Sequence, residues 1–111
     1  MNNRVTMSQV KQLRKEYPIY FESITEIINV LDPYSLVSGG APKDEHQVLV
    51  GAILRLMIQD RVNEVKELII NAYDWYGISI IEDYTDEKYP KINKAVLKII
   101  EVASLYNKNH N

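Results

Sequence analysis

The sequence predicts an all-α protein, a compact bundle of four or five helices around a central apolar helix at about residues 44–59. Three observations carry this expectation. Apolar residues recur at three- and four-residue spacing along most of the chain, the period of a helix with one buried face. The stretch from Val48 to Ile58 is apolar around nearly its whole circumference and therefore belongs in the middle of a fold. The 111 residues contain no cysteine, so no disulfide framework, zinc ribbon or iron–sulfur cluster can stand in for a packed core.

Composition agrees with a cored domain: 46% of residues are hydrophobic and 25% charged, close to globular averages. One helical domain over residues 1–111 is expected, with frayed ends at about 1–5 and 107–111. The first helix is announced by Thr6-Met7-Ser8-Gln9, which has the form of a capping box, followed by Met7, Val10, Leu13 and Tyr17 on one face. Pro18 ends this helix and can open the next, which buries Tyr20, Ile24, Ile27, Ile28 and Leu31 and stops at Asp32-Pro33. Residues 32–43 are dense in turn formers and read as the one substantial loop.

The third helix follows. Asp44 and Glu45 are suited to its positive N-terminal pole, and Gly51 within it suggests close approach of a neighbouring helix. Asp60 is placed to cap a fourth helix, Arg61 to Tyr76, and Gly77 to end that helix in a left-handed conformation. Residues 78–81 read as a short extended piece and residues 82–87 as an acidic connector. Pro90 then starts the last helix, with Ile92, Val96, Ile99, Ile100, Ala103 and Tyr106 inward and Lys91, Lys94, Lys98 and Glu101 outward. Tyr17, Tyr20, Tyr73, Tyr76 and Tyr106 occupy stripe positions and are expected at the rim of the core with wet hydroxyls.

Several functions are disfavoured. Thirteen basic and fifteen acidic residues give a net charge of -2, without the basic excess that phosphate neutralisation requires, so nucleic acid is not an expected partner. The eleven-residue apolar run, interrupted by Arg55, is too short to span a membrane. The N-terminal residues lack the apolar core of a secretory signal, and a cytoplasmic protein is expected. Gly39-Gly40 before a helix has no P-loop spacing, and Asp44 and Glu45 would repel phosphate there. Ser35 and Ser38 lie in no nucleophile elbow.

Two groups of residues remain as candidates. Glu82, Asp83, Tyr84, Asp86, Glu87 and Tyr89 combine carboxylates, which steer encounter, with tyrosines, which supply rigid contact area; they suit docking against a basic protein. Asp32, Tyr34, Asp44, Glu45 and His46 form the loop candidates for an enzyme or a ligand or metal site. Consecutive helical residues point about 100° apart, so capping with a solvent-facing His46 is the plainer expectation. No cofactor, catalytic residue or metal ligand is assigned from these patterns.

At the loop, Asp32-Pro33-Tyr34-Ser35-Leu36 and then Gly40-Ala41-Pro42-Lys43-Asp44-Glu45-His46 resemble the signature of the YugE-like family of small bacterial proteins of unknown function. The similarity extends over about Phe21 to Tyr106, and its most specific part is Gly-Ala-Pro-x-Asp-Glu. It implies a small all-helical cytoplasmic fold and no established activity. Members usually read Trp before the Asp-Pro and Tyr after the Asp-Glu, where this chain has Leu31 and His46; an acid a few residues into the helix appears here as Leu49. These departures argue against a shared active site in this loop and allow a specialised member with a different partner.

The function expected from the sequence is therefore a small protein-interaction module, most concretely an immunity or antitoxin-type protein that neutralises a basic toxin domain. An enzyme or ligand binder using the loop from Asp32 to His46 is the alternative. A further one is a structural homodimer paired through Leu97 and Leu105, which lie outside the main stripe of the last helix.

Overall fold

Local hydrogen bonding sets the first two helices. The computed structural model of the chain describes residues 5–31, 43–77 and 79–110, with the backbone alone for 43–45, 76 and 110. Helix α1 spans Met7–Glu16. Thr6 Oγ1 accepts the Gln9 N–H at 3.1 Å while Gln9 Oε1 accepts the Thr6 N–H at 2.8 Å, the reciprocal box that the sequence predicts. The Tyr17 N–H donates to the Leu13 carbonyl at 2.8 Å, and the Tyr17 carbonyl accepts the Phe21 N–H at 2.9 Å. Pro18 is thus the first residue of helix α2, Pro18–Leu31, where a missing N–H leaves no bond unmade.

Helix α3, Lys43–Ile58, is the centre of the molecule. Val48, Leu49, Val50, Ala52, Ile53, Leu54, Leu56 and Met57 are all buried, so side chains on every side of the helix have lost water. Helices α1 and α2 cover it on one side and the element after it on another, while the last helix lies across α2 and the fourth. A Cβ on Gly51 would stand 3.1 Å from Val5 Cγ2 and 3.2 Å from Val10 Cγ2. The glycine is therefore the notch that lets α1 and the residue before it approach α3, as its position in an apolar helix suggested. Arg14 fastens the same junction, donating to Gln47 Oε1 at 2.6 Å and lying 5.0 Å from the Phe21 ring centroid.

The corner after α3 differs from expectation. Asp60 has φ of 59°; its N–H donates to the Met57 carbonyl at 3.2 Å and the Arg61 N–H to the Leu56 carbonyl at 2.8 Å. This pair of bonds is a Schellman motif, so Asp60 closes α3 and does not cap the next helix. Without that cap, the expected helix over 61–76 begins and ends in tighter 3-10 turns, Val62–Glu64 and Tyr73–Tyr76, around a shorter α4, Val65–Ala72. Arg61 grips Glu64 through both carboxylate oxygens at 2.7 Å and Gln59 Oε1 at 3.0 Å, holding the corner from outside. Gly77, at φ of 89°, ends the second turn as expected.

Residues 79–80 carry no regular structure, and no strand forms among the described residues. The extended piece expected over 78–81 is thus absent where described, although Ile80 is buried and anchors the chain. Helix α5 spans Pro90–His110. Its last turns are helical where fraying was expected, with Asn109 Nδ2 donating to the Tyr20 hydroxyl at 3.1 Å. Tyr106 packs edge-on to Tyr20, centroids 5.4 Å apart, and 6.2 Å from Tyr17. Val5 is buried too, so the expected fraying at that end stops short of it; residues 1–4 and 111 lie outside the described residues. Tyr73, at 1% exposure, is a core residue and not a rim residue. Ile100, expected inward, is 41% exposed, whereas Leu97 and Leu105 are exposed as expected. No helix among the described residues is long and apolar enough to cross a membrane.

Two outcomes follow from this packing. Gly51→Val should push α1 off α3 at a cost of about 2 kcal/mol or more, read by denaturant unfolding together with loss of amide-exchange protection in α1. Asp60→Gly should relieve left-handed strain of about 1–2 kcal/mol, less about 0.5–1 kcal/mol for the added freedom of the unfolded chain, so it should raise the unfolding midpoint.

Candidate functional site

Of the two groups that the sequence singled out, the structure assembles one. Asp32 and Tyr34 lie outside the described residues, as do the side chains of Asp44 and Glu45, whose backbone forms the first turn of α3. His46 is half-buried and both its ring nitrogens are shielded from water. Its ring nitrogens therefore face inward rather than into solvent. Among the described residues no group of three or more His, Cys, Asp or Glu side chains is arranged to hold a metal ion.

The acidic connector is folded. A turn at residues 81–83 is closed by the Asp83 N–H donating to the Ile80 carbonyl at 3.1 Å. A second turn at 86–88 is closed by Thr85: its hydroxyl accepts the Lys88 N–H and its carbonyl the Tyr89 N–H, both at 3.0 Å. These turns bring side chains of like sequence neighbourhood into two knots. In the first, Asp83 accepts hydrogen bonds from Lys88 Nζ and, at 2.7 Å, from the Tyr89 hydroxyl. In the second, Asp86 accepts the Tyr84 hydroxyl at 2.6 Å and pairs at 2.6 Å with Lys66 of α4. The knots are joined face to face, since the Tyr84 and Tyr89 rings stack with centroids 5.7 Å apart and planes 11° from parallel. Lys66 Nζ also lies 5.4 Å from the Tyr84 ring centroid.

Protonation equilibria carry the imprint of this geometry. Hydrogen bonds from Lys88 and Tyr89 hold Asp83 below the ordinary carboxylate value, and those from Lys66 and Tyr84 do the same for Asp86. The Tyr84 phenol is pushed well up, first by burial and then by Asp86; Tyr89 is raised first by its bond to Asp83. Each exposed pair on its own is a weak interaction. Their effect is to give residues 82–89 a defined shape.

This sorting of the four carboxylates was not legible in the sequence. Asp83 and Asp86 are consumed by the connector's own structure, whereas Glu82 and Glu87 are exposed and make no ion pair among the described residues. Next to Glu82 in the chain, Ile81 is 50% exposed, and a groove runs between α4 and the connector, lined by Asn63, Lys66, Glu67, Ile70, Ile81 and Tyr84. Lys66, the residue that organises the patch from outside, gave no sequence signal, because its contact with Asp86 spans twenty positions. The site offers two outward carboxylates, an apolar side chain and a rigid aromatic pair.

No family model matches the chain, and no curated protein or solved structure matches it.

The tyrosines give a direct test. Stability drawn from the raised phenols is complete below pH 10.0 and is lost as pH rises through the higher folded values. That drawn from Asp83 and Asp86 is complete above pH 3.8 and is lost as pH falls through their lowered values. The connector should therefore loosen at both extremes. Asp83→Asn should return Tyr89 ionisation toward its ordinary range and leave Tyr84, which burial shifts first, displaced; ring-carbon NMR shifts through an alkaline titration distinguish the two.

Proposed function

We propose that this chain is a small protein-interaction module that docks a basic surface of a partner protein on the face formed by the connector and α4. The observation that carries the reading is the division of labour among the four carboxylates: Asp83 and Asp86 fix the shape, while Glu82, next in the chain to exposed Ile81, and Glu87 are exposed. A surface ordered before encounter loses little conformational entropy on binding, and its exposed carboxylates steer a basic partner. The most concrete form of this role is that of an immunity or antitoxin-type protein, which would cover the basic active-site surface of a toxin domain.

The test uses the tagged full chain and its Glu82→Lys/Glu87→Lys variant, which leaves both knots intact. At low salt the wild type should retain one stoichiometric partner from cognate lysate; high salt should weaken the complex, and the variant should lose it. Absence of a specific partner, or equal retention by the variant, overturns the reading. With the purified partner in hand, loss of its activity at one equivalent of this protein supports the neutralising role; unchanged activity leaves a docking module without that role.

A further inference from the structure

A second surface lies between α2 and α5 and has the opposite charge. The two helices run antiparallel: Leu31, at the end of α2, shares a groove with Lys91, while Tyr20, near its start, meets Tyr106 and Asn109. The groove, of about 410 Å³, is floored by Ile27, Leu31 and Ala95 and edged by Val30 and Leu97, which are 69% and 56% exposed. Along the α5 lip stand Lys91, Lys94 and Lys98. They follow one another at three- and four-residue spacing, so they line one side of the helix. None of the three makes an ion pair among the described residues. The α2 side carries Glu26, exposed one turn before Val30.

We infer that this groove binds an acidic amphipathic helix of a partner protein. A furrow between two antiparallel helices is the shape that a third helix fills, its apolar residues entering at i, i+3 or i+4, and i+7. The three lysines specify a row of Asp or Glu at the same spacing along one flank of that helix, where each carboxylate meets an ammonium group with no ion pair among the described residues. Glu26 asks for a neutral or basic flank on the other side, which fixes the direction in which the helix lies. The lysines stand on one lip of a concave groove instead of ringing a convex apolar face, an arrangement that suits a helix better than a lipid surface. This site is separate from the connector face and has the opposite preference, so the chain offers an acidic surface and a basic one to different partners or to different parts of one.

The probe is a fluorescent synthetic helix with leucines at i, i+3, i+7 and i+10 and a glutamate row on one flank; its twin carries lysines in place of the glutamates. The full chain should bind the acidic peptide and discriminate against the basic twin. Lys94→Glu/Lys98→Glu should weaken the acidic peptide at least about tenfold and reverse the preference, and Leu97→Ser should weaken both peptides. These positions are exposed, and an unchanged circular dichroism spectrum and unfolding midpoint show that the variants fold. Glu82→Lys/Glu87→Lys should leave peptide binding unaltered, so this inference and the connector reading fail independently. Equal affinity for the two peptides, or acidic-peptide binding that survives the lysine reversal, overturns the proposal. So does association with phosphatidylglycerol vesicles that the same reversal abolishes in the absence of peptide binding. Self-association in sedimentation equilibrium that Leu97→Ser abolishes, again without peptide binding, overturns it in favour of a second copy.

Discussion

Helix α3 has almost no polar side between Val48 and Met57, and the need to keep it from water organises the rest of the chain. An amphipathic helix can lie on a surface; one that is apolar all round must be enclosed. Helices α1, α2 and α4 supply the enclosure, each turning inward an apolar stripe too short to be stable alone. Gly51 permits the closest of these contacts by withholding a side chain where Val5 and Val10 press against α3. Helix α5 completes the bundle from outside, resting on α2 and α4, and its exposed lysines and leucines follow from that peripheral place.

The boundaries between helices show how a small bundle changes direction with few residues. The turn from α1 to α2 takes one residue, Tyr17, whose carbonyl serves the new helix while its N–H finishes the old one. The turn after α3 uses a left-handed aspartate and a bidentate Arg61–Glu64 pair. The connector is longer; Ile80 is buried and Tyr84 and Tyr89 pack against the core, and polar bonds and the tyrosine stack complete its order. A segment held in this way stays near the surface and keeps its shape, and those are the properties a docking face needs.

The two candidate surfaces have a common origin in the charge distribution. Some charges are satisfied by neighbours within the connector and others are left over. Lys66 and Lys88 are taken up by Asp86 and Asp83, which leaves Glu82 and Glu87 on one face and Lys91, Lys94 and Lys98 on another. The net charge of -2 conceals this separation, because the leftover groups nearly cancel in the sum while lying on different parts of the bundle.

What the sequence by itself determined is local. The capping box at Thr6, Pro18 at the head of α2, the stop at Gly77 and the start at Pro90 are all encoded within about four residues, the reach of a helical hydrogen bond. The burial of α3 was equally legible, since a full apolar circumference admits only one placement. Tertiary structure decided what depends on distant neighbours. It turned Asp60 from an expected cap into the closing residue of α3, buried Tyr73, turned the His46 ring nitrogens away from water, left Ile100 exposed, and sorted the connector's carboxylates into shape-forming and outward-facing pairs. Periodicity records which face of a helix is apolar, but not how far a neighbour extends over it. A run of carboxylates likewise does not show which of them a lysine twenty positions away will reach.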